Sequence, residues 1–182
     1  MSEKDLIEGC IRGKRKAQQL LYERYAANML AVAARYSKSL EEAEDVLQEA
    51  FIKVFQKMNT YEGKATIGAW IKRIVINTAL NNQRKKLYEH PMEEVGDSNY
   101  KDEQDILLSD FSFQELLEMI QALPVGCQMV FNLYAIEGYA HKEIAEQLQI
   151  SEGTSKSQYA RAKKLLKAQL LAEEKKAYEK AG

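Results

Sequence analysis

Residues 139–167, YAHKEIAEQLQISEGTSKSQYARAKKLLK, constrain this chain more tightly than any other segment. The pattern is two helices joined by a tight turn. Ile144, Ala145, Leu148 and Ile150 supply the apolar positions of the first helix and the turn, and Ala145 is small where two helices would cross closely. Gly153 is expected in the turn, with Thr154 as N-cap of the second helix. That second helix carries five cations, Lys156, Arg161, Lys163, Lys164 and Lys167, and almost no acid. A helix-turn-helix whose second helix lies against DNA has this pattern. An ordinary helical hairpin with a solvated basic face shares it, so the rest of the chain has to decide between them.

With only 2 Pro and 9 Gly among 182 residues, and abundant Ala, Leu, Glu, Lys and Gln, the composition favours a nearly all-helical protein of one or two domains. No apolar run approaches the ~20 residues of a membrane span, and the N-terminus shows no signal-peptide core. Cys10 and Cys127 are far apart and read as buried or free thiols in a reducing cytoplasm. His90 and His141 are isolated, so no metal or other cofactor is expected.

Helical periodicity places elements at 3–12, 15–37, 40–58 and 67–86, the third opened by a capping box of Ser39 and Glu42 and the fourth capped by Thr66. From 87 to 110 the pattern breaks at Pro91, Gly96 and a run of acids, which reads as a flexible acidic linker. A helix resumes over 112–122, Pro124 ends it and opens the next, and Gly138 stops that one. Charge follows the same division. Residues 1–86 hold 16 Lys and Arg against 10 Asp and Glu, residues 87–120 hold 1 against 10, and residues 121–182 hold 9 against 7. The expected architecture is therefore all-α: a domain over 1–86, an acidic linker over 87–110, and a domain over 111–182 ending in the helix-turn-helix.

On a helical wheel, Leu40, Ala43, Leu47, Ala50, Phe51, Val54 and Met58 form one apolar stripe of the third helix. The opposite face carries Glu41, Asp45, Gln48 and Glu49, with Ile52 in its midst. An exposed apolar residue ringed by carboxylates suits docking to a protein. In the fourth helix the core stripe is Ile67, Trp70, Ile71, Ile74, Val75 and Thr78. Its other side presents Lys72, Arg73, Asn77, Leu80, Gln83 and Arg84, with no acid, as suits a nucleic-acid backbone and base edges. Tyr61 in the preceding loop either stacks on a base or packs inward, and Trp70, on the core stripe, packs inward.

Together these residues resemble the extracytoplasmic-function sigma factors of bacterial RNA polymerase. AEDVLQEAFIKVF at 43–55 is similar to the family's polymerase-binding helix. YEGKATIGAWIKRIVINTALNNQRKK at 61–86 is similar to its loop and helix for the −10 promoter element. Residues 122–166 resemble its second DNA-binding domain, which reads the −35 element. The resemblance implies a cytoplasmic, non-catalytic protein whose partners are core RNA polymerase, promoter DNA and an anti-sigma protein. It implies contact with the polymerase clamp through Asp45, Gln48 and Glu49, to which the residue reading adds Ile52, while Phe51 is assigned to packing. It implies −10 contacts from Tyr61, Lys64, Arg73, Asn77 and Arg84, and −35 contacts from Thr154, Lys156, Ser157, Gln158, Arg161 and Lys164. Of these, Gln158 and Arg161 are expected to read bases, and the lysines to hold phosphates.

The chain departs from the family pattern at Tyr61 and Ile67, where Phe is usual, at Ala140 for an N-capping Ser, at Ser155 for Val and at Gln158 for Arg. These departures bear on promoter sequence rather than class. A second reading is a stand-alone helix-turn-helix regulator, which would not need the acidic face over Asp45–Glu49. A third, an enzyme with Glu41, Glu44, Asp45 and Glu49 as metal ligands, lacks the Glu-x-x-His pairs such helical sites use.

Overall fold

The computed structural model describes residues 2–89 and 112–181, with side chains over 2–87 and 112–173. Every regular element among them is helical: α1 (Glu3–Ile11), α2 (Arg15–Tyr36), α3 (Leu40–Lys57), a 3₁₀ turn (Met58–Thr60), α4 (Ile67–Glu89), α5 (Phe113–Ala122), α6 (Val125–Phe131), a π turn (Asn132–Ile136), α7 (His141–Leu148) and α8 (Glu152–Ala181). The chain divides into two compact units, residues 1–83 and 84–182. Helix α4 runs to Glu89, so the linker expected over 87–110 begins later, and its part from 90 onward lies outside the described residues.

In the first unit α1 crosses α2 at Gly9, where an added Cβ would lie 2.6 Å from the Cβ of Ala17. Only glycine lets the two helices meet this closely. Gly13 turns the chain between them at φ 67, its N–H and that of Lys14 donating to the carbonyls of Cys10 and Gly9. Ser39 caps α3 by accepting from the N–H of Glu42 at 3.2 Å, and the Glu42 carboxylate reaches back to the N–H of Lys38.

Helix α3 buries Ala43, Val46, Leu47, Ala50, Phe51 and Val54, followed by Met58. Phe51 meets Tyr22 edge-on with ring centroids 4.8 Å apart, in agreement with its assignment to packing. Leu40 departs from the expected stripe: it is the first residue of the helix, overhangs the core and is 60% exposed, while Val46 is buried instead.

Helix α4 buries more of its circumference than a single stripe. Ile67, Ile71, Val75, Ile76, Thr78, Ala79, Leu80 and Gln83 are all inside, which at about 100° per residue is over half the wheel. Leu80 and Gln83 therefore do not belong to the outward face expected for them. Gln83 is buried because its amide has partners: Nε2 donates to the carbonyl of Tyr36 at 2.7 Å and to Glu42 Oε1 at 3.1 Å, tying α4 to the α2–α3 corner. Trp70 and Ile74 are half-buried rather than core.

In the second unit Ser112 and Glu115 form a capping box at the start of α5. Pro124 opens α6, and Gly138, at φ 80, releases the chain after the π turn. Met119, Ile120, Leu123, Cys127 and Phe131 pack against Ala162, Leu166 and Leu170 of α8. Between α7 and α8 the turn is made by Gln149 in the left-handed region at φ 56, not by glycine. The cap is Ser151, whose Oγ accepts from the N–H of Thr154 at 2.9 Å. This corrects the N-cap expected at Thr154. The helix starts one turn earlier, with Gly153 inside its first turn and Glu152 at its positive end.

Candidate functional site

Three surfaces collect the residues singled out from sequence. On α3, Asp45, Gln48 and Ile52 stand on one exposed face one turn apart, and Ile52 is 58% exposed. Glu49 is different. It is half-buried, with Oε1 accepting from Lys53 Nζ at 2.7 Å and Oε2 accepting from Asn82 Nδ2 of α4 at 2.9 Å.

On α4, Arg73 and Asn77 are exposed, and Asn81 continues their line at the next i+4 step. Asn81 was not picked out from sequence, although the spacing from Asn77 would have shown it. Arg84 is half-buried, and its Nε is buried without a hydrogen-bond partner among the described residues. Tyr61 lies between the two alternatives: it is half-buried, its ring lies 5.5 Å from that of Trp70 and its hydroxyl donates to the carbonyl of Ala65 at 2.6 Å. The ring and hydroxyl thereby close the 61–65 loop over the start of α4. Lys64, at the tip, is exposed and pairs with Glu62.

On α8, Lys156 and Lys164 are exposed, and Thr154, Ser157 and Arg161 are half-buried at its margin. Lys156 pairs with Glu152 at 2.7 Å, and this ammonium holds the Glu152 carboxyl below its usual value. Gln158 is not on this face. It is 2% exposed, and its Oε1 accepts from the thiol of Cys127 at 3.1 Å. The base-reading role expected of Gln158 is therefore withdrawn: the wheel places it about 140° from Gly153, toward α6. Lys163, expected to hold phosphate, sits over the ring of Tyr159 at 5.1 Å.

An aromatic cluster unnoticed in the sequence fixes the helix-turn-helix. The His141 ring stacks on Tyr134 at 4.2 Å and 13°, Tyr134 meets Tyr159 at 4.5 Å, and His141 Nδ1 lies 2.9 Å from Ser155 Oγ. Burial first, and the positive Lys156 second, push the His141 imidazole below its ordinary value.

The first unit thus carries an exposed apolar residue beside acids on α3 and a line of Arg and Asn on α4, and the second a supported basic helix. The sequence profile of Sigma-70 region 2 matches residues 21–87, and that of Sigma-70, region 4 matches residues 113–166. The ECF RNA polymerase sigma-E factor of Escherichia coli is 26% identical over 178 residues, spanning 91% of this chain and 93% of that protein. The RNA polymerase sigma-H factor of Pseudomonas aeruginosa is 30% identical over 176 residues, spanning 90% and 91%. The chain belongs to the extracytoplasmic-function sigma factors.

As a sigma factor it directs RNA polymerase to promoters, and α3 and α4 as far as Leu87 fall within region 2 while α5 to α7 and the first half of α8 fall within region 4. The fold agrees: a sigma factor RpoE from Bartonella quintana, solved with the anti-sigma factor NepR, aligns with a TM-score of 0.52 at 20% identity over 84% of this chain and 95% of that one. Among the described residues no helix is long and apolar enough to cross a membrane, and no three His, Cys, Asp or Glu gather as a metal site.

Proposed function

We propose that this sigma factor docks on the clamp of core RNA polymerase through Asp45, Gln48 and Ile52, with Glu49 at the edge of the same face. The observation that carries this reading is Ile52: a large apolar side chain, 58% exposed, standing among acids opposite the buried stripe of α3. Arg73, Asn77, Asn81 and Arg84 then meet the −10 element, and Lys64 extends the same surface from the loop. The half-buried Tyr61 supports that surface through Trp70.

In the second unit Arg161 reads bases in the −35 element from the margin of the exposed face, Ser157 and Thr154 assist it, and Lys156 and Lys164 hold phosphates. Lys156 exchanges Glu152 for a phosphate when DNA arrives. The protein works in the cytoplasm, performs no covalent chemistry of its own, and is held in reserve by an anti-sigma protein, as RpoE is seen bound to NepR. The acidic segment 90–110 serves as the connector between its two DNA-binding units.

Equilibrium binding to core polymerase tests the docking face. Asp45→Arg and Ile52→Asp each weaken core binding by tenfold or more while the circular dichroism of the free protein is unchanged, because neither side chain is buried. The reversed charge slows association and alters its salt dependence, whereas Ile52→Asp speeds dissociation. Wild-type affinity in both variants would move the docking site off α3.

A further inference from the structure

The acidic face of α3 divides in two. Asp45, Gln48 and Ile52 point outward, but the carboxylate of Glu49 is gripped from α4: directly by Asn82 Nδ2 at 2.9 Å, and through Lys53, whose Nζ bonds Glu49 at 2.7 Å and the buried Thr78 Oγ1 at 3.3 Å. Thr78 and Asn82 are one turn apart on α4, so the two links hold one stretch of that helix at two heights. Gln83 adds an independent tether next door, to Tyr36 and Glu42.

Arg73, Asn77 and Asn81 form a line on the same helix, about 100–180° round from Asn82. A rotation of α4 of about 20°, at its ~2.3 Å backbone radius plus a side chain of similar length or more, would carry their tips by more than 1 Å. That displacement is enough to lose a hydrogen bond to a base edge.

We propose that Asn82 and Glu49 form a positioning pair that fixes the rotation of α4, so that Arg73, Asn77 and Asn81 meet the −10 element in register. Asn82 touches neither DNA nor polymerase in this assignment and acts through Glu49. The inference rests on the proposed function, in which α4 faces the −10 element. It adds that an α3 residue of the docking motif serves promoter opening by a route separate from docking.

The test uses the full-length protein with saturating core polymerase on one promoter, so that core affinity and promoter opening are read separately. Asn82→Asp sets two carboxylates against one another and lowers permanganate-detected opening by about tenfold. Its core affinity in the absence of DNA stays within about twofold of wild type. Combining it with Glu49→Gln reverses the polarity of the bond: the Gln amide donates to the new Asp while its carbonyl still accepts from Lys53. Opening by the double variant, again at saturating core, recovers to within about threefold of wild type.

A merely structural role for the pair would show as lowered melting temperature without this rescue. Opening undiminished in Asn82→Asp, or equally low in Asn82→Asp and the double variant, would overturn the proposal. If instead wild type itself fails to bind core or to open any promoter, it is the proposed function that has failed.

Discussion

Gln158 offers the sharpest contrast between a residue that reads DNA and one that holds the reader in place. It lies inside the second unit, with Oε1 accepting from the Cys127 thiol at 3.1 Å. Gln158→Ala removes four heavy atoms from a site where Cys127 is fully buried. It leaves a small void and removes an acceptor of the thiol, a weak donor. Deleting buried atoms and a hydrogen-bond partner together costs roughly 2 kcal/mol. For a unit of this size that lowers Tm by roughly 8–16 °C.

Gln158→Leu refills most of the volume and costs less, about 1 kcal/mol, because an apolar side chain leaves no amide of its own unsatisfied. Thermal unfolding followed by circular dichroism gives the stability change, and competition binding against altered −35 sequences gives base preference. Both variants keep wild-type preference at temperatures where they are folded. If Gln158→Ala relaxed −35 preference with Tm unchanged, the side chain would be reading bases and the placement of this helix would be wrong.

At the N-terminus of α7, Glu143 already accepts from the Ala140 N–H at 2.8 Å, so Ala140→Ser completes a capping box. It should stabilise the second unit by about 1 kcal/mol in a denaturant titration. For His141 the folded state disfavours the charged form, so the unfolded chain binds the extra proton as pH falls. Stability held above the unfolded value near 6.5 is therefore lost between that pH and the lower folded value, and His141→Phe flattens this part of the melting profile. Lys164→Ala weakens binding to all DNA sequences alike and reduces the salt slope by about one ion, whereas Arg161→Ala costs about 1–3 kcal/mol on the preferred −35 sequence only.

The helices and most of their ends were legible in the sequence because local chemistry sets them: Ser39 caps α3, Pro124 opens α6 and Gly138 ends the turn before α7. What stayed hidden depended on partners distant in the chain. An amide is polar on a wheel whether it faces water or a buried carbonyl. Gln83 and Gln158 were accordingly read as outward, although Tyr36, 47 positions away, and Cys127, 31 positions away, draw them inside. Leu80 was missed because α4 buries over half its circumference, which a single-stripe reading cannot represent.

Thr154 and Ser151 are both good cap types, and the choice fell to the left-handed Gln149, a conformation that its side chain does not advertise. The exposed cluster on α3 was readable, since Asp45, Gln48 and Ile52 share one side of one helix. The turn of Glu49 toward Asn82 could not be read, because the two are 33 residues apart.

The central claim is that one chain carries both the polymerase-docking face and the promoter-reading helices. Run-off transcription with core polymerase on a pool of genomic promoters measures it most directly. The account predicts discrete transcripts that depend on this protein, disappear with Ile52→Asp at limiting core, and are lost from single promoters with Arg161→Ala. Specific duplex binding without polymerase, together with no protein-dependent transcript from any promoter in the pool, would contradict it.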